Sequence, residues 1–346
     1  MHFNIEFDEG NQIVGYLVPD SAVKIPSLRI SDGQRDLVVL PCNQDRPILV
    51  TVGRHDTGRC GFVIDQSIIP DLVEQKSLEI YDQETNLRLY RRRSPLEVVQ
   101  KKVLRFETHL FPLWGLDDAL EPHFQFFHKG IERHGRETTI QFFELLNSQS
   151  LYLSGRLLFK QFERYVSGIF NSIALIHEPH MELAERLLTL KHIRKFSKVI
   201  LGERDAMIFS PTIEFAGAIE LDEAKLHRSF ASMPRDVIAN LANPLTRQFA
   251  TSTVDEMPTR HSVATALRSL ASFAVLGVRE RQDLFLQQVS ELLGTPLDLS
   301  PARNFDKAAE LARILRHIPE AGVLIERDLE VYDHIRSAIK SAVADL

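Results

Sequence analysis

The chain has 346 residues, and at roughly 100–200 residues per domain that length suggests two domains. Hydrophobic residues make up 44 % and charged residues 25 %, enough for sizeable cores, and a net charge of −6 gives no global attraction to nucleic acid or to an anionic membrane. Two cysteines, Cys42 and Cys60, exclude a disulfide framework and fit a reducing compartment, with a single strand-to-strand bridge left open.

Met1–Glu6 has no basic stretch leading into an apolar run, and no segment reaches the ~20 apolar residues of a membrane helix; the expectation is a cytoplasmic protein without a membrane span. Up to about Arg93 the pattern is β. His2–Phe7, Gln12–Val18, Ser27–Ile30, Leu37–Leu40, Ile48–Val52, Gly61–Ile64, Leu78–Tyr81 and Leu87–Tyr90 alternate or form short apolar runs between Gly, Pro, Asp and Asn. Their spacing of roughly 8–12 residues suggests a sandwich or a small barrel, and the expectation is a β-sandwich-like domain. The basic triplet Arg91-Arg92-Arg93 before Ser94-Pro95 reads as a solvated linker, which divides the chain into residues 1–93 and 94–346.

Beyond Pro95 the period changes. Leu96–Phe106, Ala119–Phe127, Thr138–Leu146, Leu157–Val166, Met181–Leu190 and Asp222–Ser229 read as helices. Leu151–Leu153, Ser172–Ile176 and Ala206–Phe209 read as buried strands between them, and such alternation argues for a parallel sheet covered by helices. Ser262–Phe273, Glu280–Leu293, Asp306–His317 and Ile325–Val343 give a helical C-terminal part. The class is therefore α+β with two domains.

Few local motifs carry chemistry. Neither a Walker-type loop nor Gly-x-Gly-x-x-Gly is present. Gly135, Arg136, Thr138 and Thr139 open an apolar helix and are candidates for phosphate or sulfate, although the same residues read as a turn and an N-cap. His177-Glu178-Pro179-His180 is a short cluster, but Pro179 interrupts the helical face that a paired-His metal site requires, so no metal is expected. Ser154 lacks the first Gly of a nucleophile elbow. The 21 Phe residues read as core.

Three blocks, in order, resemble the carbohydrate O-sulfotransferases, in particular bacterial relatives of heparan-sulfate 2-O-sulfotransferase. Tyr152-Leu153-Ser154-Gly155-Arg156 running to Tyr165 resembles the family's Gly-His segment and the helix after it. Ile173-Ala174-Leu175-Ile176-His177-Glu178-Pro179 running to Leu187 resembles its apolar strand ending in Leu-Arg-Asp-Pro, with the following helix. Ala242-Asn243-Pro244-Leu245-Thr246-Arg247 resembles its Asn-Leu/Pro-Gln-Thr-Arg stretch, and Val275-Leu276-Gly277-Val278-Arg279-Glu280-Arg281 resembles its Val-Gly-Leu-Thr-Glu-Arg junction.

The resemblance covers about 200 residues and implies a P-loop-sulfotransferase-like α/β domain that transfers sulfuryl from PAPS (3′-phosphoadenylyl sulfate) to a sugar hydroxyl. Measured against that pattern, Val103–Pro112 lacks the loop Gly and Lys, and Arg156 stands where the branch has a basic His. His177 stands for the Arg and Glu185 for the Ser that hold the 3′-phosphate. The resulting expectation is a glycan-pathway relative with impaired or absent PAPS-dependent catalysis and no cofactor. Its ligand-pocket candidates are Arg156, His177, Glu178, Arg186, Asn243 and Arg247. The alternative is an active enzyme that uses PAPS through a rebuilt donor site. Homo-oligomerisation is left open.

Overall fold

The computed structural model describes residues 1–21, 24–145, 147–193, 200–297, 299 and 306–344. The chain divides into two compact units. One comprises Met1–Lys102, Glu121–Phe127 and His134–Tyr152, the other Val103–Leu120, His128–Arg133 and Leu153–Leu346.

The first unit carries β1 (His2–Asp8), β2 (Gln12–Val18), β3 (Ser27–Ser31), β4 (Asp36–Pro41), β5 (Gln44–Asp45), β6 (Arg59–Asp65), β7 (Leu78–Asp82) and β8 (Arg88–Arg92). They form two four-stranded antiparallel sheets, β1-β2-β6-β5 and β4-β3-β7-β8. Alternation places Phe3, Leu17, Phe62 and Ile64 on the buried side of one sheet and Leu28, Ile30, Leu78 and Ile80 on that of the other. Cys42 and Cys60 are free and buried, and burial pushes the Cys42 thiol up to about 12.

Two expectations fail in this unit for local reasons. Ile48–Val52 is not a strand: Pro47 pre-sets the first helical turn, Pro47–Thr51 is a short helix, and only its Leu49 is buried. The basic triplet is not a linker either, because Arg91 and Arg92 belong to β8. Arg91 is 4 % exposed and donates to the carbonyl oxygens of Glu121 and Phe124, with burial lowering its pKa to about 10. Arg92 grips Asp8 bidentately at 2.7 Å and donates to Leu72 O at 2.6 Å and Gly10 O at 3.2 Å.

A five-stranded sheet has the order β10-β11-β9-β12-β13, with β9 (Lys102–Phe106), β10 (Phe126–Lys129), β11 (Leu151–Gly155), β12 (Asn171–Ile176) and β13 (Val275–Val278). β12 is parallel to both β9 and β13. Bonds from Leu151 N to Lys101 O and from Glu107 N to Gly155 O give β11 the same direction beside β9. The expected parallel sheet is thus present, and the architecture is α+β with an antiparallel β-rich N-terminal region and a C-terminal α/β region.

Several elements differ from the periodicity. The Val-Leu-Arg-Phe run lies in β9 rather than in a helix over Leu96–Phe106, since a strand buried on both faces has no alternation to read. Part of the expected helix Ala119–Phe127 is β10, and Ala206–Phe209 is helical, within Glu203–Ile208 and the turn into Ser210–Ala218. The C-terminal part contains the strand β13, where Gly277 is required because a Cβ would lie 2.7 Å from Phe285 Cβ on the helix Gln282–Leu293. The helix expected over Thr138–Leu146 spans Arg136–Phe143, and Leu146 lies outside the described residues.

In the second unit the helix Pro179–Lys191 buries Leu183, Leu187 and Leu190 against Phe230, Leu241 and Leu311. Phe106, Phe159, Phe249 and Phe273 form a tilted and edge-to-face cluster with ring centroids 5.1–5.8 Å apart, in which Phe106, Phe159 and Phe249 are buried as composition suggested. No helix among the described residues is long and apolar enough to cross a membrane.

Arg92→Ala is expected to lower the urea-unfolding free energy by about 3 kcal/mol, because it leaves Asp8 charged and enclosed without its guanidinium. Arg93→Ala, outside the strand, should change it by less than about 0.5 kcal/mol. Equal effects would show that the triplet is a solvated connector after all.

Candidate functional site

β11 and β12 flank β9 on opposite sides although β9 comes first in the chain, and in open parallel sheets the strand ends beside such a reversal are where ligand crevices form. The residues that leave β9 and β12 there are Glu107-Thr108-His109 and His177-Glu178, and Arg279 follows β13. Of these, Thr108 lines a cavity, whereas Glu107, His109, His177 and Arg279 are buried.

Glu107 organises this edge. Its carboxylate accepts from Leu113 N at 2.7 Å, His109 N at 3.1 Å and Arg105 Nη1 at 2.9 Å, and lies 3.0 Å from His109 Nδ1. Arg105, 2 % exposed, also grips Asp117 bidentately at 2.9 and 2.7 Å. Burial opposes ionisation of Glu107, but Arg105, His109 and the loop N–H groups outweigh it and hold the carboxyl well below the usual range. The loop after β9 therefore wraps its backbone donors around an anion that belongs to the chain. Thr108 Oγ1 donates to Leu175 O at 2.7 Å and Gln248 Nε2 to Glu107 O at 2.9 Å, which fixes the loop to its neighbours.

His177 is buried. Its Nδ1 accepts from Glu178 N at 3.0 Å, its ring lies 5.5 Å from that of His109, and its Nε2 is 3.5 Å from Glu185. Glu185 in turn lies 3.6 Å from Arg279 Nη1. Burial would raise the Glu185 carboxyl, but His177 and Arg279 bring it below its ordinary value. Glu178 caps the helix Pro179–Lys191 by accepting from Met181 N, and also meets His180 at 2.9 Å and Arg316 at 2.8 Å. Burial resists its ionisation, but these partners lower its pKa to about 2. No group of three or more metal-ligating side chains occurs among the described residues.

A cavity of about 330 Å³ lies beside this cluster within the same unit, and it gathers three of the sequence candidates, Arg156, Arg186 and Arg247. Arg156 is committed: it donates to Asp205 at 2.8 Å and Leu110 O at 3.1 Å. At Gly155 a Cβ would lie 2.5 Å from the Glu132 carboxylate, which accepts from Arg156 N, and 3.2 Å from Ile131 N, so a side chain there would displace Glu132. Arg186 is 6 % exposed and pairs with Glu182 at 2.8 Å, but its Nε has no hydrogen-bond partner. Arg247 donates to Ala242 O at 3.1 Å and to the Met257 sulfur, and its Nε is likewise unpartnered. Burial and the proximity of Arg186 lower the Arg247 pKa. Two neighbouring guanidiniums with unfilled donors favour an anion between them. Leu157, Phe209 and Val254 supply an apolar wall.

The remaining candidates lie elsewhere. Asn243, at φ +47°, is structural: its Oδ1 accepts from Arg327 N and Asp328 N, while Asp328 accepts from Leu245 N and Thr246 N at the start of the helix Pro244–Ala250. His177 and Glu178 do not line the arginine cavity. Gly135, Arg136, Thr138 and Thr139 form no anion cradle. Thr138 and Thr139 are buried, with Thr138 accepting from the N-terminal amine and Thr139 donating to Gly135 O, and only Gly135 and Arg136 are exposed. Sequence reasoning missed Arg105, Glu107, His109, Asp117 and Arg279. The signal was an Arg and a Glu set in the otherwise apolar Val103–Phe106 stretch and its exit.

No protein-family model, curated protein or solved structure matches the chain.

Glu107→Gln turns an acceptor into a donor facing Arg105 and the loop N–H groups. The expected loss at pH 7 is about 3–5 kcal/mol, as for a broken buried ion pair. The folded-state pKa of Glu107 lies below its ordinary 4.5. Its contribution is therefore present above pH 4.5 and fades as the pH falls, and the gap between wild type and variant should narrow from pH 5 to pH 3 in urea titrations. A gap independent of pH would show that the charge of Glu107 does not hold the loop.

Proposed function

We propose that this chain is a sulfotransferase-related protein of a surface-glycan or polysaccharide pathway that has lost PAPS-dependent catalysis and binds an anionic saccharide in the arginine cavity. One observation carries the reading: the loop after β9 folds its N–H groups onto Glu107. In the family that the sequence resembles, the corresponding loop offers such groups to the donor's 5′-phosphosulfate. An internal carboxylate with an Arg105 counter-ion competes for the same donors and repels a phosphate.

Two further features support this view. His177 and Glu185 stand where the resemblance places the Arg and Ser for the 3′-phosphate, and they face each other and Arg279. Arg156 stands at the position of the base, but a guanidinium stays protonated and this one is tied to Asp205. The cavity retains cationic donors and an apolar wall, which suit a carboxylated or sulfated sugar without a transfer step.

The 3′,5′-bisphosphate product of PAPS is expected to give no thermal shift with the full chain, whereas a true ligand at 100 times its Kd would add about 2.7 kcal/mol. Uronate-containing or sulfated oligosaccharides should bind with strong salt dependence, and Arg247→Ala should weaken them at least about tenfold, the loss of one charge-assisted contact. Low-micromolar binding of PAPS that Arg247→Ala or Arg156→Ala abolishes would restore an enzyme with a rebuilt donor site.

A further inference from the structure

A second cavity, of about 230 Å³, lies within the first unit beside β1, the edge strand of its sheet. The outward carbonyls of this strand already have partners: Gln141 Nε2 donates to Phe3 O at 2.7 Å and Asn147 Nδ2 to Ile5 O at 3.4 Å. The register also slips between Ile5 and Phe7. A bulged and capped edge resists addition of another strand, so the cavity offers side chains rather than backbone pairing.

Those side chains are mostly polar. Asn4, Gln125, Asn147 and Ser148 line it with neutral polar groups; Gln125 bonds Tyr90, Ser148 Oγ donates to Ser150 O at 3.0 Å and Asn147 Nδ2 to Ile5 O, which leaves the Asn4 side-chain amide and the spare lone pairs of the others to face the space. Two carboxylates also reach the cavity, and both have a counter-ion. Asp8 is held by Arg92 at 2.7 Å, by Tyr90 Oη at 2.8 Å and by Gly10 N at 2.9 Å, while Glu6 is held by Arg46 at 3.1 Å. Among the described residues no Lys, Arg or His side chain lines the space, so an anion has nothing there to pair with, and a cation would meet carboxylates already neutralised. Phe7 leaves a large ring 42 % exposed at the rim, and Tyr90 packs edge-on to Phe126 at 5.9 Å.

We propose that this cavity is a subsite for an uncharged sugar residue. Amide and carboxylate groups match the paired donor and acceptor character of vicinal hydroxyls, and an exposed ring covers the C–H face of a pyranose. The volume falls below the ~300–1,000 Å³ of sites for larger ligands, so it suits one ring rather than a nucleotide. The ligand class rests on the glycan reading above. The site does not, since it shares no residue with the arginine cavity.

The test is saturation-transfer NMR on the full chain, first with free glucose, galactose, mannose and N-acetylglucosamine and then with their neutral oligomers. At least one sugar should show transfer, and Asn4→Ala and Phe7→Ala should each weaken it at least tenfold. Asn147→Ala, at an exposed position, repeats the test should either variant unfold. Arg247→Ala should leave neutral-sugar binding unchanged. Transfer to the oligomers but not to the free sugars would assign the cavity to a chain residue rather than a metabolite. No transfer from any neutral sugar, or transfer indifferent to these substitutions, overturns the subsite. Binding of anionic oligosaccharides lost in Arg247→Ala would, in that event, leave the function proposed above standing, and failure of both ligand classes would remove both.

Discussion

A carboxylate placed inside its own loop is the constraint on which the C-terminal unit depends. Glu107 leaves β9 into a region with no solvent to stabilise its charge, so it must find donors or remain neutral. It finds the Arg105 guanidinium, two backbone N–H groups and the His109 ring. Satisfying Glu107 sets the course of residues 107–113. Arg105, drawn into the same network, binds Asp117 and so anchors the helix Trp114–Leu120. Loop, helix start and strand end are consequently one electrostatic unit.

The same accounting separates the arginines of the unit. Arg105 has carboxylates on both sides, and Arg156 has Asp205, Glu132 and a backbone carbonyl. Arg186 and Arg247 are less well matched, each with a buried Nε lacking a partner, and they lie near enough for one to depress the pKa of the other. A native fold seldom tolerates like charges side by side with unfilled donors, and where it does an anion is the natural remedy. The cavity between the apolar wall and these two side chains is where binding chemistry has room.

The Asn-Pro-Leu-Thr-Arg stretch has a mechanical role. Asn243 turns left-handed before Pro244, and its amide oxygen and the Asp328 carboxylate exchange caps between the helices Pro244–Ala250 and Glu326–Ala344. Burial raises the Asp328 pKa to about 6 against the three bonds that favour its charge. This reciprocal cap sets the helix that presents Arg247 and Gln248, so the residues of the motif act on the cavity through geometry.

By itself the sequence determined the class: alternating strands in the first ninety residues, alternation of helix and strand afterwards, and a helical C-terminal part. It also singled out Arg156, Arg186 and Arg247, which meet in one cavity. Those features are local, since side-chain period and helix breaks act within a few residues. What it left open depended on partners far along the chain. β9 and β13 became strands because β12 pairs with both, and short buried runs carry no period of their own. Arg91 and Arg92 became structural because Glu121, Phe124 and Asp8 accept from them, although in sequence they stand among polar residues. The loop after β9 gives its backbone N–H groups at His109 and Leu113 to Glu107, and only the folded path of the loop decides whether a carboxylate points outward or back into its own turn. Charges pair according to distance in space, and tertiary structure alone fixes that distance.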